Sequence, residues 1–219
     1  MRPSPSGFTL IELLIVIGIV SLLVAVLVPQ LIPVQDAAYA VGDVANLRAH
    51  RDWLLTYERK HGSLPMEGGT RFVMATWTSG IAGPTEEDFD RFFTPGPARQ
   101  NDAAYAELRK RVQRGENPWP NLDATDTTST HYVGRAKQYL KTRQQGPGEA
   151  WMADDNEDGW NLRDGSLNVL FCGGVVRTYS HPQLQDAFGV GALDPSNPVV
   201  THGANSPVPA CRALANTSK

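Results

Sequence analysis

The sequence predicts an α+β fold in which one long amino-terminal helix is packed on a small antiparallel sheet. Three observations predict it. Residues 8–28 form an apolar run whose only charge is Glu12. Helical periodicity then returns from Asp36 to Lys60. Near the other end, Ser166–Phe171 and Val175–Tyr179 are β-rich runs separated by Cys172-Gly173-Gly174, which is the pattern of a hairpin.

The first element is a membrane helix by length and composition. Its 21 residues span about 31 Å at 1.5 Å per residue, matching a hydrocarbon core of about 30 Å. Leu, Ile and Val cover every side of it, so it is not the amphipathic helix of a soluble core. A lone Glu in such a segment costs roughly 2.5–3.5 kcal/mol or more on insertion scales, and its default reading is functional. Ala38-Tyr39-Ala40 has the small-x-small pattern of a signal-peptide cleavage site. A removable signal, however, has an apolar region of about 7–15 residues with positive charge before it and no acid inside. The better reading places the cut ahead of the apolar run, between Gly7 and Phe8, so that the hydrophobic helix stays on the mature chain.

Gly7-Phe8-Thr9-Leu10-Ile11-Glu12 resembles the processing site of type IV pilins and type II secretion pseudopilins, with Gly before the cut, Phe after it and Glu fifth in the mature chain. Pro29 falls where such proteins carry a helix-loosening proline. The resemblance covers residues 1–65 closely and the carboxyl-terminal region more weakly. It implies a pilin-like fold, removal of residues 1–7 by a prepilin peptidase, and N-methylation of Phe8. It implies a single-pass inner-membrane protein with a cytoplasmic amino terminus and the rest exported. It also implies a filament of copies of this chain or sister pseudopilins, built by an inner-membrane platform protein and an assembly ATPase. Cleavage leaves a cationic amine on Phe8, and Glu12 of a neighbouring subunit can neutralise it where the dielectric is low. Desolvation offsets much of that attraction, so the pair sets register more than stability.

Beyond the membrane segment, Pro29 and Pro33 each remove a backbone donor, so residues 25–33 are expected to kink or loosen. Residues 29–65 then form the exported half of the helix. Ala40, Val44, Leu47 and Leu54 share its apolar stripe, with Asp43, Asn46, Arg48 and Asp52 largely outside it. Gly62 and Pro65 end it. Residues 66–150 read as a variable insert: Arg71–Trp77 as a short strand, Glu86–Phe93 and Asp102–Gln113 as helices, and Pro95-Gly96-Pro97 and Pro118-Trp119-Pro120 as loops. Residues 151–219 hold the hairpin, and after Gln185 the chain is rich in Pro, Gly, Asn and Ser and reads as surface loops.

Asp154, Asn156 and Asp158 place oxygens at alternate positions before Gly159, the arrangement with which a loop curls around calcium; the Trp160 carbonyl and Asp164 could complete the shell. The bidentate Glu such a loop needs is missing, with Gly165 in its place, and the competing reading is an acidic turn held by Asx hydrogen bonds. Cys172 and Cys211 are the two cysteines. Export would put them in an oxidising compartment, where a disulfide between them would close a loop of about 40 residues and stabilise by roughly 4 kcal/mol in the chain-entropy account. Two separate thiols are the alternative.

The formal charge of −3 gives no electrostatic reason to expect nucleic-acid binding. The five histidines lack ligand spacing and no nucleophile-elbow motif occurs, so an enzyme is not expected. Two functions follow from the resemblance: a structural subunit that polymerises through its amino-terminal helix, or a minor tip subunit whose residues 66–150 bind a surface, a secreted substrate or DNA.

Overall fold

In the computed structural model, residues 9–140, 146–154, 165–188, 193–194, 197–198, 202–203, 206 and 208–215 are described. The chain divides into two units, Met1–Ala38 and Tyr39–Lys219. Helix α1, Leu10–His61, contributes to both. In the first unit its large apolar side chains from Leu10 to Val34 are 44–81% exposed, so nothing within that unit covers them. The segment is long and apolar enough to cross a membrane. At residues 25–33, where a kink or loosening is expected, α1 is not broken and stays α-helical through Pro29 and Pro33.

In the second unit, α1 buries Asp43, Leu47, His50 and Leu54, a stripe at spacings of four, three and four residues. Two of these four are polar. The expectation that Asp43 lies outside the buried stripe is therefore corrected; it is wholly buried, for reasons given below. Gly62 ends the helix with φ 77° and donates its N–H to the Glu58 carbonyl at 2.8 Å, as expected of a glycine cap. Arg59, Lys60 and His61 occupy the last turn, where cations favour the helix dipole.

Residues 66–131 build an aromatic half of the core. Thr70–Thr78 is helix α2, not the strand expected at Arg71–Trp77. Phe72, Val73, Met74, Ala75 and Trp77 are all buried, and a short run buried on every side has no periodicity that separates helix from strand. Helix α3, Glu86–Asp90, is capped by the Thr85 hydroxyl; α4 is Pro97–Asn101; and α5, Ala103–Gln113, is capped by the Asp102 carboxylate. Trp119 stacks on Phe89 at 5.5 Å between ring centroids, and Trp77 meets Trp119 edge-on at 5.4 Å. These rings share one cluster with Leu47 and Leu54 of α1, so the region read as an insert supplies the helix with much of its packing partner.

Five strands form the sheet: β1 Tyr132–Arg135, β2 Ala150–Asp154, β3 Leu167–Phe171, β4 Val176–Tyr179 and the two-residue β7 Leu214–Ala215, all antiparallel in the order β4-β3-β2-β1-β7. The expected hairpin is β3–β4. A register shift between Ala150 and Met152 lets both Trp151 and Met152 join the cluster on the α1 side. Gly134 is required in β1. A Cβ there would stand 2.6 Å from the Gly69 carbonyl oxygen, so its absence lets the start of α2 press against the sheet. The opposite face, Val133, Ala153, Val169 and Phe171, is covered by Leu184 of helix α6 (His181–Phe188) and by Val208, Cys211 and Leu214. The carboxyl-terminal stretch thus closes the core instead of only looping over it. Strands β5, Leu193–Asp194, and β6, Asn197–Pro198, form a separate short pair.

Candidate functional site

The amino-terminal end of α1 is built around Glu12. Thr9 precedes the first helical residue, and its N–H and hydroxyl donate to Glu12 Oε2 at 2.9 and 2.7 Å. Glu12 N–H donates in return to Thr9 Oγ1 at 3.3 Å. This reciprocal arrangement is a capping box, which satisfies donors at the start of a helix and sets an anion against the positive end of its dipole. Thr9-x-x-Glu12 is the sequence signature of that motif, and reading Glu12 only as a partner for an amine missed it. Gly7 and Phe8 lie outside the described residues. What the geometry offers is an exposed carboxylate, held in place by its own chain, at the head of an uncovered apolar helix.

A second polar cluster lies between α1 and the sheet. Asp43 Oδ1 accepts a 2.6 Å bond from the Tyr132 hydroxyl, and Asp43 Oδ2 accepts a 2.8 Å bond from Asn168 Nδ2. Asn168 also donates its backbone N–H to Asp154 Oδ2 at 3.0 Å and accepts the Thr178 hydroxyl at 2.6 Å. Asn46 donates to the Tyr132 hydroxyl at 3.2 Å and to the Phe93 carbonyl at 3.3 Å. Four elements therefore meet on one pair of carboxyls, α1 and β1 to β3. The strand alternation that sends Leu167, Val169 and Phe171 to the far face turns Asn168 toward α1. A polar residue midway in an apolar strand was the available signal for this cluster.

Both carboxyls are pushed up from the ordinary carboxylate range. For Asp154 the shift is large; burial is its main cause and the neighbouring Asp43 charge the next. For Asp43 burial also dominates, opposed by hydrogen bonds that include those from Tyr132 and Asn168. Tyr132 is likewise raised well above an ordinary phenol, by burial and then by Asp43. Beside it His50 stands edge-on to Phe92 and Trp53, with ring centroids at 4.7 and 5.0 Å. Its Nε2–H donates to the Arg91 carbonyl at 3.0 Å, and burial lowers its pKa to about 3, so the imidazole is neutral.

Asp154, expected to head a calcium loop, is turned into this cluster and is 2% exposed. Its Oδ2 accepts from the Asn168 N–H, and its buried Oδ1 has no partner among the described residues. Asn156, Asp158, Trp160 and Asp164 lie outside the described residues. Among the described residues no group of three or more His, Cys, Asp or Glu is placed to hold a metal. Cys172 and Cys211 are not bonded to each other. They pack in clusters on opposite faces, with the sheet between them, so the expected disulfide is not formed. Burial first, and then the Asp154 charge, push the Cys211 thiol up to about 12.

Other charges serve as fasteners. Arg135, buried in β1, bonds the Ala150 and Tyr139 carbonyls and pairs with Glu149 at 2.8 Å. Asp90 receives the Tyr105 hydroxyl at 2.8 Å and Arg109 at 3.1 Å, tying α3 to α5.

Residues 2–28 match the family described as the prokaryotic N-terminal methylation motif. No curated protein and no solved structure matches the chain.

Proposed function

We propose, from the premise that this chain carries the signature of type IV pilins and pseudopilins, that it is a structural subunit which polymerises through α1 into a type II secretion pseudopilus or a type IV pilus-like filament. The observation that carries the reading is the joining of that motif to an apolar helix with a single acid, no part of which is covered within its own unit. Such a surface needs lipid or other helices of its kind around it.

Prepilin peptidase cuts after Gly7 and exposes the Phe8 amine, which is then methylated. In the lipid the subunit keeps Glu12 on its own Thr9, as the capping box describes. In the filament the carboxylate meets the Phe8 amine of a neighbour, an ion pair that a low dielectric strengthens and that fixes the stagger between subunits. A platform protein and an assembly ATPase drive the transfer from membrane to filament. The second unit lies on the far side of the membrane from the amino terminus. The motif is that of structural subunits, and no reaction is assigned to the chain.

The test is the mature amino terminus together with incorporation of Glu12→Ala. Phe8 is the expected first residue of the membrane-extracted and filament-associated protein. Glu12→Ala is expected to fractionate with membranes and to drop out of sheared filaments. A mature chain beginning at Val41, or normal incorporation of the variant, overturns the reading. A stoichiometry near one per filament would move the subunit to the tip.

A further inference from the structure

Asp36, Ala40, Asp43, Leu47, His50 and Leu54 follow one another along α1 at spacings of 4, 3, 4, 3 and 4 residues. The last four are the stripe that α1 buries in the second unit. A slide of seven residues advances an α-helix by about 10.5 Å and turns it by only about 20°, so nearly the same face returns. Slid in that way, α1 would bring Asp36 to the place of Asp43 and Leu47 to the place of Leu54. Ala40 would stand for Leu47 and fall short of it only in size. Hydrophobic pattern alone therefore leaves α1 a second seating on the sheet.

Hydrogen bonding closes that seating. Asp43 accepts with both oxygens, from the Tyr132 hydroxyl at 2.6 Å and from the Asn168 amide at 2.8 Å. The amide is aimed at α1 because its own oxygen accepts the Thr178 hydroxyl at 2.6 Å. The sheet thus offers donors at this place. Seven residues on, the polarity is reversed. His50 Nε2 lies 3.0 Å from the Arg91 carbonyl oxygen, which can only accept, so this nitrogen carries the hydrogen. His50 is fully buried, its Nδ1 has no partner among the described residues, and the rings of Trp53, Phe92 and Tyr132 stand edge-on around it. The slide would bring Asp43 to this place, setting a carboxyl against a carbonyl oxygen among aromatic rings. An acceptor facing an acceptor without water is costly.

We propose that Asp43 and His50 are positioning residues that key α1 to the sheet: an acceptor and a donor, seven residues apart, admit Tyr39–His61 in one register and exclude the seven-residue slide. A polar group at one position of an apolar helix seam selects alignment in coiled coils by the same means, at some cost in stability. Asn46 and Trp53 flank the key and support it. Asn46 donates to the Phe93 carbonyl at 3.3 Å, and Trp53 stacks on Phe92 at 5.5 Å between centroids. The slide would put Tyr39 and Asn46 in their places. A chain that stacks through α1 needs its sheet at one height on that helix. This consequence rests on the subunit reading above, whereas the key rests on the second unit alone.

The experiment moves the key. Ala40→Leu, Asp43→His and Asn46→Trp together give positions 36, 40, 43 and 46 the side chains that Asp43, Leu47, His50 and Trp53 present in wild type. The full chain in detergent carries spin labels on azidophenylalanine introduced at the exposed positions Val41 and Val175, which leaves both native cysteines in place. Pulsed electron resonance then reads the distance between α1 and the β3–β4 turn. Wild type should give one distance. The triple variant should give a shorter one, by up to about 10.5 Å, because position 41 moves toward Arg51, which lies against Gly174 of that turn. Adding Asp36→Leu should abolish the shift. The wild-type distance in the triple variant, or a shift that survives Asp36→Leu, would overturn the key. A second pair of chains decides the matter if the triple variant does not fold. Asp43→Asn with His50→Gln keeps an acceptor at the first place and a donor at the second, while Asp43→His with His50→Asp exchanges them. At neutral pH the first should melt well above the second, and failure of the exchanged chain to fold is the extreme of that result. Equal melting would overturn the key. None of these readouts depends on filament assembly, so failure here and failure of the subunit reading are separate results.

Discussion

Replacing Tyr132 by Phe removes one oxygen from the centre of the second unit and leaves the ring in place. The hydroxyl donates at 2.6 Å to Asp43 and accepts at 3.2 Å from Asn46, and the residue is fully buried. Its loss leaves Asp43 with the Asn168 amide as donor, while Asn46 retains the Phe93 carbonyl. A hydrogen bond to a charged buried group contributes about 1.5–3 kcal/mol. For a chain of this size each kcal/mol moves Tm by about 2–4 °C, so a fall of roughly 3–12 °C is expected. The assay is thermal unfolding of the full chain in detergent, followed by the fluorescence of Trp53, Trp77, Trp119 and Trp151, which share or border the same core. Tyr57→Phe, at the partly exposed end of α1, is the control and should melt like wild type. If Tyr132→Phe also melts like wild type, the hydroxyl does not hold Asp43, and the account of the α1–sheet contact fails with it.

His50 predicts an acid-side effect. Its folded pKa of about 3 lies below the unfolded value of about 6.5, so its contribution is complete above pH 6.5 and is lost as pH falls toward 3. Relative to wild type, His50→Gln should melt progressively better as pH falls from about 6.5 toward 3, because it lacks the group whose protonation opposes folding; parallel curves would rule the imidazole out. Gly134→Ala forces a methyl to within 2.6 Å of the Gly69 carbonyl oxygen and 2.9 Å of Phe72 Cβ, where backbone cannot yield cheaply. A destabilisation of about 1–3 kcal/mol is expected from such overpacking, read as a lower Tm, and an unchanged melt would mean that α2 does not press on β1.

Much of the fold is legible along the chain because its signals are local. The membrane-length apolar run, the glycine stop at Gly62, the Asp102-led helix and the β3–β4 hairpin each follow from periodicity or turn chemistry within about 20 residues. Arg71–Trp77 reads as a strand for a physical reason: Phe72 to Trp77 are all buried, and over so short a run the apolar pattern carries length but not period. Prolines 29 and 33 are expected to kink or loosen α1; the helix continues past both, since each removes a backbone donor without ending the helix. The capping box at Thr9 and Glu12 was readable in the sequence, whereas its carboxylate was assigned entirely to another chain.

Asp43 and Asp154 mark where sequence reasoning stops. Each looks solvated in its own neighbourhood, one beside Asn46 and Arg48 on a helix, the other opening an acidic turn. Only the fold brings together residues 111 positions apart (154 − 43) and surrounds them with Tyr132 and Asn168. The cysteines teach the same lesson, because their spacing allowed a bond that the sheet between them prevents. The sequence alone determined the amino-terminal motif, the apolar helix and its one acid, since those depend on order and composition within a single element. Tertiary structure decided which polar groups were buried and what they faced. Desolvation and charge pairing act between elements, and no local pattern records a neighbour that arrives from elsewhere in the chain.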